Sequence, residues 1–275
     1  MDLDGVIGLG VAGNFTGHLE QAGEAADFEG VEVRDAKAPK GVFPFYIPRG
    51  GDHFLHCFPL STDRIRLPGA RDDLQMEPEI ALLCDLEYDG GELVRVAPRF
   101  FGAYNDCSIR RPGAHKISEK KNWGPASKGI AATLLPIDRF EPGGVLDHFR
   151  LASFLLRRGE LHAYGVDSAV TGYSYFHGHL LDWLVERIGA QADEGPLESI
   201  ADWLASAGHP KQALISIGAT RYTDYGESHF LETGDSSIVV AYDLRRYDEE
   251  AIRQRVLGDD DAEAPGLSLL RQRVG

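Results

Sequence analysis

The residue pattern predicts a mainly β fold of the α+β class with a few short helices. Three observations carry this. Short apolar runs recur along most of the chain and are broken by Gly, Pro and Asp. Only three stretches place apolar residues at helical spacing. The strand-rich region from 31 to 137 holds no helices of the kind that would connect parallel strands.

In chain order, strands are predicted at Gly5–Leu9, Val31–Val33, Gly41–Tyr46 and Ile65–Leu67. Next comes Ile80–Leu86, whose continuous Ile-Ala-Leu-Leu-Cys run reads as a buried strand. Leu93–Pro98 and the aromatic-rich Arg99–Tyr104 follow, then Ala131–Ile137, Leu214–Ile217 and Ser237–Tyr242. Helices are predicted at His148–Arg158, at Ser174–Ala190 with the stripe Leu180, Leu181, Leu184 and Ile188, and at Pro196–Ala207. The run Gly258-Asp-Asp-Asp-Ala-Glu-Ala-Pro265 reads as a solvated linker, so 258–275 is expected to be an acidic tail. The chain is read as one domain, 1–275, with its core at about 5–243.

Composition bounds the function. At 275 residues and 43% hydrophobic content, a large core is affordable. No run of 18 apolar residues predicts a membrane span. The N-terminus lacks a basic segment of the signal-peptide type, and three cysteines make no disulfide framework, so a cytoplasmic location is expected. A net charge of −15 argues against a nucleic-acid or anionic-membrane partner held by bulk attraction.

The chemistry is concentrated in two segments. Glu77 and Glu79 are two apart, so at strand spacing they share a face. Both stand at the mouth of the Ile80 strand, where like charges repel unless a cation lies between them. Asp106 follows the Arg99–Tyr104 strand within Asn105-Asp106-Cys107-Ser108-Ile109-Arg110. Three carboxylates suit a hard ion such as Mg²⁺, with Mn²⁺ or Ca²⁺ as the alternatives. Four of the seven lysines (Lys116, Lys120, Lys121 and Lys128) cluster just downstream with Trp123.

Two other patterns compete. Gly8-Leu-Gly10-Val-Ala-Gly13 matches the dinucleotide fingerprint, with Glu32 and Asp35 near the ribose-binding distance. That reading requires a full strand before the glycines and a helix opening at the second. His53, His56 and Cys57 have zinc-like spacing without a second cluster to complete four ligands. His177 and His179 read as packing or capping residues, and Cys107 as a small buried wall residue.

Glu-x-Glu, then Asn-Asp-x-Ser-x-Arg, then Trp and Lys, in this order, resembles the fumarylacetoacetate hydrolase family. Asn14-Phe15-Thr-Gly-His18 is similar to its Asn-Tyr-x-x-His segment. Gly41–Phe45 and Ser61–Pro68 resemble its substrate-loop and pre-metal strands. Leu214–Thr220 is similar to its late Gly-Thr loop, and Phe230–Asp235 to its Leu-x-x-Gly-Asp turn. The likeness spans most of residues 5–243 and implies a mixed β-sandwich roll that usually forms a homodimer.

The resemblance also implies roles. Glu77, Glu79 and Asp106 hold the metal. His18 activates water, and Lys128 stabilises negative charge near the metal oxygens. Asn14, Phe15, Arg110, Gly218 and Thr220 contact substrate. The implied activity is divalent-metal-dependent hydrolysis of a carbon–carbon bond in a β-diketone or acylpyruvate-like 2-oxo acid, through an enolate. Decarboxylation or tautomerisation of a 2-oxo acid is the alternative at the same site. A non-catalytic ligand-binding protein and a nicotinamide-dependent oxidoreductase are alternatives of other classes.

This chain departs from the family at three places. The Glu that orients the histidine is Gln21 here, so Glu20 is expected to take that catalytic place, with Glu24 one turn further along as the other carboxylate. Gly-Ala-Thr replaces Thr-Gly-Thr in the late loop, and Arg111 stands where the family has an acid.

Overall fold

The computed structural model describes residues 3–23, 28, 35, 37–69, 73–111 and 113–275. The predicted strand Val31–Val33, with Glu24 and Glu32, lies outside the described residues. Two curved sheets face each other across one large apolar core, as a mainly β, α+β chain should arrange itself.

The first sheet contains β1 (Ile7–Ala12), β2 (Gly41–Tyr46) and β3 (Leu60–Ser61). β4 (Arg64–Ile65) belongs to the second sheet, and β5 (Asp73–Gln75) pairs with β8 (Ser108–Arg110) in a small ribbon. The centre of the first sheet is the long hairpin β6 (Pro78–Asp89) and β7 (Glu92–Asn105). Its two-residue turn is Gly90-Gly91, both at positive φ, the conformation that the twist of a tight hairpin demands. β9 (Lys128–Ile130), β10 (Leu135–Pro136) and β13 (Gln212–Ser216) complete the sheet in the order β2-β1-β13-β6-β7-β9-β3, with β10 beside β7. Pro44 sits in edge strand β2 and Pro98 at a register shift of β6 against β7, the two settings in which a sheet tolerates proline.

The second sheet runs β12-β11-β14-β15-β4. Here β11 is Phe149–Arg157, β12 Glu160–Ala169, β14 Ser236–Asp243 and β15 Leu267–Val274. Helices α1 (His18–Gln21), α2 (His177–Ala190), α3 (Ile200–Ser206), α4 (Asp224–Ser228) and α5 (Glu249–Leu257) lie around the sheets. α2 buries Leu180, Leu184 and Ile188, the predicted stripe less Leu181. No helix among the described residues is long and apolar enough to cross a membrane.

Three expectations are corrected. His148–Arg158 is not a helix but strand β11. Phe149, Leu151 and Leu155 face the inter-sheet core, while Ala152 and Phe154 pack with Ile252 and Val256 of α5. A strand buried on both faces is apolar throughout, and its periodicity cannot be told from that of a buried helix. The expected tail contains β15, hydrogen-bonded between β14 and β4, with Leu270 and Val274 in the core. The core therefore extends well past residue 243.

The dinucleotide reading also fails. Gly8 and Gly10 lie inside β1, and a Cβ on either would stand 2.2 Å from the ring of Phe45 or Phe43. These glycines admit the aromatic rings of β2. No helix opens at Gly10; the next one, α1, has four residues and begins at His18.

Candidate metal centre

The β6–β7 ladder builds the acidic site. Pro78 pairs with Asn105, and Glu79 with Tyr104. One step further out, the Asp106 N–H donates to the Glu77 carbonyl at 2.9 Å, so these two acids stand opposite one another. Asn105 fixes this end of the hairpin. Its Oδ1 accepts the Glu77 N–H at 3.2 Å, while its Nδ2 reaches Ser237 and Gln272 in the second sheet. Glu79 shares a face with Glu77. One oxygen from each of Glu77, Glu79 and Asp106 lies within 4.8 Å of the others, and all three residues are buried.

Cations surround two of the three acids. Arg110 Nη2 is 2.5 Å from Glu77 Oε1, and its guanidinium also donates to Gln75 and Tyr222. Lys121 Nζ is 2.7 Å from Glu77 Oε2 and 2.6 Å from Asp106 Oδ2. Lys128 Nζ is 3.2 Å from Asp106 Oδ1 and donates to the Cys107 carbonyl. Glu79 accepts the Gly218 N–H at 2.9 Å and, among the described residues, has no ion pair.

The titration behaviour follows from this arrangement. Burial pushes Glu77 up, but the Lys121 ammonium and Arg110 guanidinium outweigh it and hold the group well below its ordinary value. Burial, then the charges of Asp106 and Glu77, push Glu79 well above its ordinary value. Burial also raises Asp106, against the opposing pull of Lys121 and Lys128, and lowers Lys128.

The donor set fits a hard divalent ion. Glu79 is a buried carboxylate held by one backbone N–H and, among the described residues, by no ion pair, while the Asp106 oxygens face the lysines Lys121 and Lys128. One oxygen from each acid lies within 4.8 Å of the others, close enough for a single divalent ion to be held by all three. The three acids, with His18, Phe43 and Lys121, line a cavity of about 20 Å³, which is the size of an ion or a water.

The remaining predicted residues divide. His18 is buried in α1, with its ring 5.1 Å from that of Tyr222, and lines the cavity. Glu20 is exposed and is not brought to the cavity, a correction to its expected catalytic place; on a single helical turn it faces away from His18. Gln21 faces elsewhere, bonded to both backbone polar groups of Tyr222 and to Glu227. Gly218 touches Glu79, and Ala219 beside it lines the cavity.

Thr220 is buried next to this loop, its N–H on the Pro78 carbonyl and its Oγ1 without a hydrogen-bond partner among the described residues. Asn14 is spent on structure, bonding Tyr175 twice and the Ile217 carbonyl once, and Phe15 packs edge-on against Tyr173. Arg111 is exposed and donates to the Glu119 carbonyl. No zinc cluster forms at His53 among the described residues; His56 bonds the Ile47 carbonyl instead. His177 pairs with Asp147 at 2.6 Å, His179 stacks on Tyr175, and burial pushes the Cys107 thiol up to about 12.

The sequence placed Lys121 in the lysine-rich stretch without a role. Ser108, the serine of the Asn-Asp-x-Ser-x-Arg motif, holds Lys121, whereas Gln75 and Tyr222, which hold Arg110, carried no signal because each is brought in by tertiary pairing.

A family model described as a family of unknown function, DUF5718, matches residues 24–274. The chain belongs to the DUF5718 family. No curated protein matches the sequence of this DUF5718 member. Several solved structures share its fold. One is a fumarylacetoacetate hydrolase family protein from Yersinia pestis CO92, 12% identical, with TM-score 0.50 over 98% of this chain and 94% of that one. A second is 5-carboxymethyl-2-hydroxymuconate delta-isomerase from Mycobacterium smegmatis, 13% identical, with TM-score 0.51 over 98% and 78%. A third is maleylpyruvate hydrolase from Sphingobium sp. SYK-6, 11% identical, with TM-score 0.50 over 98% and 70%. At these identities the likeness establishes the fold of this DUF5718 chain.

Proposed function

We propose that this protein is a divalent-cation-dependent enzyme that converts a small 2-oxo acid or β-diketone by way of an enolate, with Mg²⁺ as the working ion. The observation that carries the reading is the buried triad Glu77, Glu79 and Asp106 sharing one cavity with His18. The hydrolase and isomerase among the proteins of like fold support enolate chemistry as a class. When bound, the ion supplies Lewis-acid polarisation of a carbonyl oxygen and offsets the negative charge that develops there.

The chain's own residues do the rest. Glu77, Glu79 and Asp106 supply the ligand oxygens. Lys128 holds Asp106 from behind, and Arg110 holds Glu77 with its planar fork. His18 is the group placed to move a proton at the cavity wall. Thr220, with its unpartnered Oγ1 beside the Gly218–Ala219 loop, is placed to meet a substrate oxygen.

Tautomerisation or decarboxylation of a 2-oxo acid is favoured over hydrolysis of a carbon–carbon bond. The fumarylacetoacetate hydrolase pattern has a glutamate three residues after this histidine to orient it for water activation; here that position is Gln21, an amide bonded to Tyr222 and Glu227. Hydrolysis is the second reading, supported by the maleylpyruvate hydrolase of like fold. A homodimer and a cytoplasmic location belong to the proposal as well; size-exclusion chromatography with light scattering tests the first.

Calorimetric titration with oxalate, which mimics a chelated enolate, tests the reading. Oxalate binding that requires Mg²⁺ and is lost in Glu79→Gln supports it. Binding without metal, or unchanged in that variant, overturns it. Turnover of oxaloacetate against an acylpyruvate then separates the two chemistries.

A further inference from the structure

We propose that the Lys121 ammonium is the cation the triad carries in the absence of a divalent ion, and that a divalent ion binds by displacing it. This rests on the metal-centre reading above and adds what governs occupancy of that centre.

The argument is one of which oxygens are taken. Arg110 engages Glu77 on Oε1, and Lys128 engages Asp106 on Oδ1. The other oxygen of each, Glu77 Oε2 and Asp106 Oδ2, goes to Lys121, at 2.7 and 2.6 Å. A third contact, from Nζ to Ser108 Oγ at 2.7 Å, adds another oxygen to the ammonium's surroundings. Ser108 is itself held by its bond to the Asp106 carbonyl at 2.8 Å. The side chain is buried and runs past the Phe43 ring, so this is a built position for a positive charge.

Charge points the same way. Three carboxylates face Arg110, Lys121 and Lys128, so the cluster is neutral when all are ionised. A divalent ion added with Lys121 still in place would set two cations on the same two oxygens, inside a low-dielectric cavity where their repulsion is weakly screened. With the ammonium moved away, Glu77 Oε2 and Asp106 Oδ2 are released to the ion, and Glu79, which has no ion pair among the described residues, gains one. The same movement empties the volume that the lysine head occupies. That enlarges a cavity now of ion size toward what a chelating oxo acid needs. Lys128 does not act in this way, because it engages only Asp106, through Oδ1 at 3.2 Å, and does not line the cavity as Lys121 does.

The test is Mn²⁺ binding to the full chain by calorimetry, with the Mn²⁺-dependent rise in Tm as a second readout. Lys121→Met is expected to bind Mn²⁺ at least tenfold more tightly than wild type and to show the larger Tm rise. Lys128→Met, which removes an equal charge from Asp106 Oδ1, is expected to gain less than threefold. Lys121→Gln keeps a hydrogen-bonding head; it serves where Lys121→Met leaves the metal-free chain unfolded, and it is expected to shift in the same direction. If wild type binds Mn²⁺ and the Lys121 variants bind no more tightly than wild type or than Lys128→Met, displacement is overturned and the metal centre stands. If wild type and every variant fail to bind Mn²⁺, the metal centre falls and the displacement proposal with it.

Discussion

Gly218 donates its backbone N–H to Glu79 Oε2 at 2.9 Å, and by this bond the loop after β13 holds the one acid of the triad that has no ion pair among the described residues. The glycine is required by conformation and by space. Its φ is +114°, and an added Cβ would come within 3.0 Å of the Asn14 Cβ, on a side chain fixed by three hydrogen bonds of its own. Gly218→Ala is therefore expected to lower stability by about 1–3 kcal/mol. Because the strain falls on the bond to Glu79, divalent-ion affinity should drop several-fold as well. Urea denaturation and Mn²⁺ calorimetry measure the two effects. Wild-type stability in this variant would show that the loop relaxes freely.

Glu79→Gln should separate stability from function. In the metal-free chain Glu79 is buried between two other acids, and burial with their charge holds it well above the ordinary carboxylate range. A carboxyl raised on folding binds a proton in the native state that the unfolded chain has already released. Its stabilising contribution is thus present at acid pH and is lost as pH rises from the unfolded value through the folded one. The amide removes this liability. Glu79→Gln should raise the Tm of the metal-free protein at pH 8 more than at pH 5, while abolishing Mn²⁺ binding. A lower Tm at pH 8 would mean that Glu79 is already paired there.

Legibility in the sequence followed the locality of each signal. The clustering of the three acids was readable because Glu77 and Glu79 share a strand face and Asp106 ends the next strand, so the β6–β7 hairpin alone brings them together. α2 was readable from its stripe. β11 was misread because burial on both faces erased its alternation, and β15 because the acidic residues before it looked like the start of a tail. Lys121 could not be placed from sequence. Its neighbours Lys120 and Lys116 have the same composition, and only the turn at Ile117–Lys120 decides which ammonium enters the triad. The glycine fingerprint misled because close packing against Phe43 and Phe45 needs the same missing Cβ as a pyrophosphate does.

Glu198 gives a pH effect away from the triad. Burial pushes its carboxyl up to about 7, against the pull of the Lys116 ammonium. By the same sign argument, its contribution to stability is lost as pH rises between about 4.5 and 7, on the order of 3 kcal/mol in all. Glu198→Gln should leave stability at pH 4.5 close to wild type and increase it at pH 8. Urea midpoints at the two pH values check this, and an equal change at both would place the titration elsewhere.

Replacing Gln21 with glutamate would write back the carboxylate that the fumarylacetoacetate hydrolase pattern has three residues after His18. It should not confer hydrolysis. The Gln21 amide donates to the Tyr222 carbonyl and to Glu227 Oε2, both at 3.2 Å, and its oxygen accepts the Tyr222 N–H at 3.0 Å. A carboxylate keeps the last bond, loses both donations and faces the Tyr222 carbonyl and the Glu227 carboxylate with like charge. Partial exposure screens the Glu227 contact, so Gln21→Glu should cost about 1 kcal/mol. Adding Glu227→Gln should recover part of that loss, since the two sites are in contact and their effects should not add. Even the double variant leaves the new carboxylate bound to the Tyr222 N–H and not to the imidazole. Activity toward an acylpyruvate should therefore stay at the wild-type level in both variants. A rise in that activity with Gln21→Glu alone would show that residue 21 does reach His18, and hydrolysis would then become the leading reading of this site.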